Sequence, residues 1–149
     1  MKLDLNGYKL ITGFEGLSLK PYLCPAKIPT IGYGNTYYTD GKRVTLLDEP
    51  ITKEQAFEMF KTVANRFALA VNQNIKSIVT QNQFNSLVSF AYNVGTGNFA
   101  SSTLLKKVNI NPADETIKGE FIKWNKGGGV VIDGLTNRRK LESENYFKI

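Results

Sequence analysis

Between Thr52 and Val71 the sequence keeps a strict helical register: Gln55 follows Thr52 at three residues, and apolar side chains then recur at 57, 60, 64, 67 and 71. Alternating steps of three and four put those side chains on one face of an α-helix. A Thr with a Gln three positions on can also satisfy two of the free amides at the helix start. The pattern predicts an amphipathic helix of about 19 residues. The same signature returns at Thr80 and Gln83, ahead of Phe84, Leu87, Val88, Ala91 and Val94, with Gly95 as its stop. Two such helices need a core to cover their apolar faces. The 149 residues, 42% hydrophobic and 21% charged, are enough to build one. At this size folding buries roughly 68–70% of the unfolded surface without help from a disulfide or a structural metal. A single domain over 1–149 is expected.

The remaining segments are weaker. Leu3 to Leu19 carries a rough helical pattern broken by Gly7, Gly13 and Gly16, read as a helix of about ten residues ending near Gly16. Ile28 to Val44 changes to Thr, Ile, Tyr and Val separated by glycines, with Asp40-Gly41 as the turn of a hairpin. Ser101 or Ser102 can cap a short helix through Val108. Pro112 can open another through about Asn125, and Asn137 to Phe147 reads as the last. Gly127-Gly128-Gly129 is the one loose stretch. The expected fold class is α+β and mostly helical. A small N-terminal antiparallel β-hairpin sheet, in a β lobe over about 18–50, is joined by a long helix to a helical lobe over about 52–149 plus the N-terminal helix. Two lobes imply a cleft.

Composition removes whole classes of chemistry. With His 0, the commonest zinc ligand and the usual base of Ser and Cys nucleophile triads are missing. With Cys 1 there is no internal disulfide and no thiolate cluster. No metal site and no cofactor are expected, and proton transfer falls to carboxylates, the thiol, lysines or tyrosines. The net charge of +6 is spread along the chain and favours an anionic partner. No basic stripe or recognition motif points to nucleic acid. The longest strictly apolar run is the five residues Phe67 to Val71, too short for a membrane span or a signal-peptide core. Synthesis in the cytoplasm with no stable membrane anchor is the expectation.

Glu15 stands in Gly13-Phe14-Glu15-Gly16-Leu17 at the predicted end of the first helix. A carboxyl in an apolar niche can stay protonated long enough to act as a general acid, while an ordinary glutamate on a helix would be solvated. Cys24, between Pro21 and Pro25, is either small buried filler or a working thiol.

Glu15, eight residues, Cys24, five residues and Thr30, followed by Ile31-Gly32-Tyr33-Gly34, resemble the phage lysozymes of glycoside hydrolase family 24. The resemblance continues through Gln83 to Gly95, Ser102-Thr103-Leu104-Leu105, Trp124, and Gly134 to Arg139 with Glu142. It implies a lysozyme fold and cleavage of the β-1,4 bond between N-acetylmuramic acid and N-acetylglucosamine in peptidoglycan. Glu15 would protonate the glycosidic oxygen, and Cys24, standing where most members have Asp, would orient and deprotonate water. An unperturbed thiol is only a few per cent thiolate at neutral pH, so this asks for a lowered pKa or an alkaline optimum, and Lys20 and Lys27 are the nearby cations in sequence.

Thr30 can hold the attacking water, or simply favour a strand. Gly32 and Gly34 allow a ligand close to the backbone, or mark a bulge. Tyr33 or Tyr92 can carry a sugar or pack, and Trp124 belongs to the helical core. Asn93 is a hydrogen-bonding residue counted with Gly32, Tyr33 and Arg138 as substrate-binding. By resemblance Arg138 lies near the acid; otherwise Arg138-Arg139-Lys140 is a solvated basic face. The partner implied is peptidoglycan, met by a monomer that reaches the wall or periplasm after holin-like release. The competing reading is a catalytically weak wall-binding module of the same fold.

Overall fold

In a computed structural model describing residues 1–149, the chain runs α1 (Leu5–Thr12), β1 (Ser18–Leu23), β2 (Pro29–Gly32), α2 (Lys53–Asn74), α3 (Gln81–Val94), α4 (Thr96–Ser101), α5 (Thr103–Ile110), α6 (Ile117–Ile122), β3 (Lys126–Gly127), β4 (Val130–Val131) and α7 (Asp133–Tyr146). It divides into two units, Ile11–Asn65 on one side and Met1–Leu10 with Arg66–Ile149 on the other, with the divisions falling inside α1 and α2.

In the unit Ile11–Asn65, α1 stops at Thr12, short of the Gly16 expected. The amides of Phe14 and Glu15 donate back to Ile11 O at 3.0 Å and Thr12 O at 3.1 Å, the three-residue spacing that tightens a helix end. Glu15 therefore sits in a turn rather than on the helix. β1 and β2 pair antiparallel with Tyr22 opposite Thr30 and Leu23 opposite Pro29. A register shift then brings Ser18 opposite Gly32.

The sheet thus lies nearer the N-terminus than the Ile28–Val44 segment suggested. The turn at Asp40-Gly41 does form, with Gly41 at φ 87, but its arms meet only at the single bridge Tyr37–Arg43. The cause is upstream: Gly32 takes φ 69, and Ile31 and Asn35 exchange both backbone hydrogen bonds at 2.9 Å, closing a tight loop that ends the ladder. Ile31, Val44 and Met59 are buried together, with Tyr38 and Ile51 packed on them. At the head of α2, Thr52 N donates to Gln55 Oε1 at 2.8 Å and Gln55 N to Thr52 Oγ1 at 3.1 Å, so the expected capping box is present and the helix extends to 22 residues.

The other unit is organised around α3. Thr80 and Gln83 cap it reciprocally, Gly95 ends it at φ 95, and every residue from Phe84 to Ala91 is buried. Phe90 is its aromatic centre, with ring centroids of Phe121 and Trp124 at 5.6 Å and of Phe99 at 6.3 Å, all edge-on. Ser102 caps α5 by accepting from Leu105 N at 3.1 Å.

Three expectations need correction here. Pro112 does not open a helix, because the Asn111 and Asp114 side chains take the amides of Ala113 and Thr116 and hold the chain in turns until α6 begins at Ile117. The glycine stretch is not loose: Gly128 and Gly129, at φ 59 and 81, form the two-residue turn between β3 and β4, so the chain after residue 50 is not wholly helical. The last helix starts at Asp133, before Asn137. The N-terminal residues belong to this unit through Gln81 Nε2, which donates to Lys2 O at 2.8 Å, and Asn85 Nδ2, which donates to Asp4 Oδ1 at 2.8 Å.

Candidate active site

Glu15, Cys24, Thr30, Gly32 and Tyr33 all fall in the unit Ile11–Asn65. Glu15 is half-buried in the turn after α1. β1 carries the chain from there to Cys24, where a second turn reverses it into β2. Cys24 N donates to Ile28 O at 3.1 Å, Lys27 N donates to Cys24 O at 2.8 Å, and Lys27 accepts a left-handed φ of 61 to complete the reversal. The turn curls backbone amides around a half-buried thiol.

The amide of Ile28 is the chief reason the Cys24 pKa lies below the ordinary thiol value of 9.0. Partial desolvation opposes it, and the Thr30 hydroxyl and the amide of Ala26 add to it. The anion is favoured by fixed dipoles, not by the Lys20 and Lys27 side chains weighed from sequence, which are exposed. Thr30 is buried opposite Tyr22 in the ladder, and its Oγ1 donates to Ile28 O at 2.8 Å. A hydroxyl has one proton to give. Beside a neutral thiol it goes to the Ile28 carbonyl, and beside a thiolate it is available to the sulfur. The structure brings Cys24 and Thr30 together through Ile28.

Gly32 has a reason of its own. It needs its φ of 69, and a Cβ there would meet Asn35 Oδ1 at 3.5 Å and Ala56 Cβ at 3.6 Å, so the space beside it is filled by protein. Tyr33 is half-buried and packs edge-on to Phe60 at 5.6 Å.

Asn93 and Arg138 belong to the other unit. Asn93 is exposed, and its Oδ1 accepts from Arg139 Nη2 at 2.9 Å. Arg138 is buried, with Nε 3.3 Å from Glu142 Oε2 and Nη2 donating to Ser89 O at 3.1 Å. Only Lys140 of the Arg138-Arg139-Lys140 run is exposed, which removes the solvated-face alternative for the two arginines.

The residue that sequence reasoning did not place is the acceptor they share. Glu142, fully buried, lies 2.7 Å from Arg139 Nε and takes the Ser89 hydroxyl at 2.5 Å. Burial pushes its carboxyl up, against the pull of both guanidiniums, and the same burial pulls Arg139 down. Arg139 also stacks its Cζ 5.1 Å from the Phe90 ring centre. One signal was available: Glu142 stands three and four residues from the arginines, the spacing of neighbours on one helix face.

The Phage lysozyme family model matches residues 12–142. The endolysin of Bacillus phage PZA is 44% identical over 144 residues, 95% of this chain, and the chain spans 54% of that endolysin's length. Among solved structures, the endolysin from Escherichia coli O157:H7 phage FAHEc1 superposes with a TM-score of 0.89 at 38% identity, covering 99% of this chain and 94% of that one. The muramidase domain of SpmX from Asticaccaulis excentricus superposes with a TM-score of 0.84 at 28% identity, with 99% of each chain covered. The mostly helical fold with its small antiparallel hairpin is that of these neighbours, and the chain belongs to the phage lysozyme family.

Proposed function

We propose that this chain is an endolysin muramidase, a single lysozyme domain that hydrolyses the β-1,4 bond between N-acetylmuramic acid and N-acetylglucosamine in peptidoglycan. Glu15 is the general acid that protonates the leaving oxygen, Cys24 draws the proton from an attacking water, and Thr30 holds that water. Family membership supports the reaction class. The observation that carries the assignment of Cys24 is the turn that surrounds its thiol with the amides of Ile28 and Ala26 and the Thr30 hydroxyl, lowering its pKa where a carboxylate would otherwise be needed.

Gly32 and Tyr33, two and three residues after Thr30 in the chain, border the sugar. Asn93 and Arg138 are substrate-binding on the strength of the family positions they hold. The enzyme acts as a monomer on the wall or periplasm, reaching it from the host cytoplasm through a holin-like pore. No helix is long and apolar enough to cross a membrane.

The test is digestion of purified sacculi followed by mass spectrometry of the fragments. The expected products are disaccharide–peptides with new reducing N-acetylmuramic acid ends. Binding to sacculi with no new reducing ends would favour a wall-binding module instead.

The pH dependence separates the role of Cys24 from a packing role. With a lowered thiol pKa, the thiolate fraction, read directly as the rate of Cys24 alkylation, rises with pH through a midpoint below 9.0. Because Glu15 must be protonated while the base is ionised, kcat/KM follows the product of the two fractions, and Cys24→Asp, whose base ionises near pH ~4, is expected to retain activity while its alkaline limb no longer follows the thiol titration. Superimposable limbs in the two proteins would remove Cys24 from the mechanism. The same shift has a stability sign: the folded state favours the thiolate, so Cys24 adds stability above the unfolded thiol's pKa near ~8.5, and that gain is lost as pH falls through the folded value.

A further inference from the structure

One pocket in the unit Ile11–Asn65 is built from the chain on either side of the Asp40-Gly41 turn and from the start of β2. It encloses about 250 Å³ between Ile28, Pro29, Thr36, Tyr37, Arg43 and Val44. It shares Ile28 with the proposed catalytic pair, since the carbonyl of Ile28 takes both the Cys24 amide and the Thr30 hydroxyl. Its walls are alkyl and aromatic, and Arg43 supplies its one charge.

The guanidinium is held in place. Its Nε donates to Tyr37 Oη at 3.2 Å, its Cζ lies 5.5 Å from the Tyr37 ring centre, and the Tyr37–Arg43 bridge fixes both backbones. The carboxylates nearest in sequence are engaged elsewhere. Asp40 takes the Lys42 amide at 3.0 Å, and Asp48 takes the Tyr38 and Thr45 hydroxyls at 2.7 Å and 2.6 Å. Arg43 thus has no carboxylate partner in the fold, and with Nε committed to Tyr37 its two terminal nitrogens remain to grip one in a planar fork.

We propose that this pocket is a subsite for the peptide arm of the substrate, with Arg43 binding a carboxylate of that arm and Ile28, Pro29 and Val44 receiving its alkyl groups. The proposal rests on the muramidase reading above. Where its lactyl carboxyls are amide-linked to peptide, the glycan strand itself presents hydroxyls and acetamides, whereas the attached peptide brings free carboxylates and further alkyl groups. The pocket's chemistry matches the second set. The subsite would make the enzyme prefer strands that still carry peptides.

The experiment compares kcat/KM on three substrates: glycan strands bearing peptides, the same strands stripped by an N-acetylmuramoyl-L-alanine amidase and with the lactyl carboxylates this frees converted to amides, and peptide-bearing strands whose carboxylates have been amidated. For the wild type, the peptide-bearing strands are expected to be preferred, with the preference lost on amidation. In Arg43→Gln the ratio of peptide-bearing to stripped should fall about tenfold, the size of one charge-assisted contact. Arg43→Lys keeps the charge without the fork and should recover only part of the ratio. Tyr37→Phe, which frees the guanidinium, should lower it by a smaller factor. A ratio in Arg43→Gln within twofold of the wild type, or amidation that slows Arg43→Gln as much as the wild type, would overturn the subsite alone. No new reducing ends from any strand with the wild type would overturn the muramidase reading and the subsite together.

Discussion

Glu15→Gln is expected to lower the rate of sacculus digestion by at least ~100-fold, the lower end of what general acid catalysis contributes. Glutamine keeps the volume and the hydrogen-bonding capacity of the side chain but has no proton to release, so the loss isolates the chemical step from binding. The turn that carries Glu15 is held by backbone hydrogen bonds to Ile11 and Thr12, which the substitution does not touch. The turn should therefore still form, and the variant should still bind sacculi. The measurement is release of reducing ends against time at matched folded concentration. A variant within tenfold of the wild type would mean that position 15 is not the acid, and the proposed mechanism would lose its first step.

The largest expected effect on stability lies elsewhere, at Glu142. Its carboxylate is the shared counter-ion of two buried guanidiniums and accepts the buried Ser89 hydroxyl, with the Arg139 ion pair at 2.7 Å and neither side chain exposed. Removing one partner of such a cluster leaves charge in a low-dielectric interior with nothing to balance it, which costs about 3–5 kcal/mol. Glu142→Ala would strand two arginines, so a loss in that range is expected from urea unfolding, read as a lower midpoint at unchanged slope. That is a large fraction of the roughly 5–15 kcal/mol that holds a domain together, so the variant should also accumulate poorly. A loss below about 1 kcal/mol would show that water or the Phe90 ring face compensates the arginines.

Local signals were read correctly at the capped helix starts, though not at the equally local turns of Asn111, Asp114 and Gly128-Gly129. The Thr52–Gln55 and Thr80–Gln83 pairs specified two helix starts, and Ser102 a third, because a cap is satisfied within three residues. The sheet was misplaced for the opposite reason. Asp40-Gly41 has the chemistry of a hairpin turn and makes one, but whether its arms then form a ladder depends on the loop closed by Ile31 and Asn35. β1 went unread because Pro21 and the irregular register at Ser18 spoil the alternation that marks a strand.

In the candidate site, the family resemblance carried by Glu15, Cys24 and Thr30 implied a cysteine base in need of a lowered pKa. The device that lowers it could not be read, since backbone amides carry no sequence signature. The solvated-face alternative for Arg138 and Arg139 stayed open in the sequence because their burial beside Glu142 is a tertiary property.

Lys2 and Asp4 are bonded to Gln81 and Asn85, some eighty residues downstream, and the first ten residues complete a unit that otherwise begins at Arg66. Order of synthesis and order of assembly are therefore inverted. On the ribosome, Lys2 and Asp4 stay without these partners until Gln81 and Asn85 have emerged. The intervening excursion can close its own core meanwhile, from contacts already outside the exit tunnel.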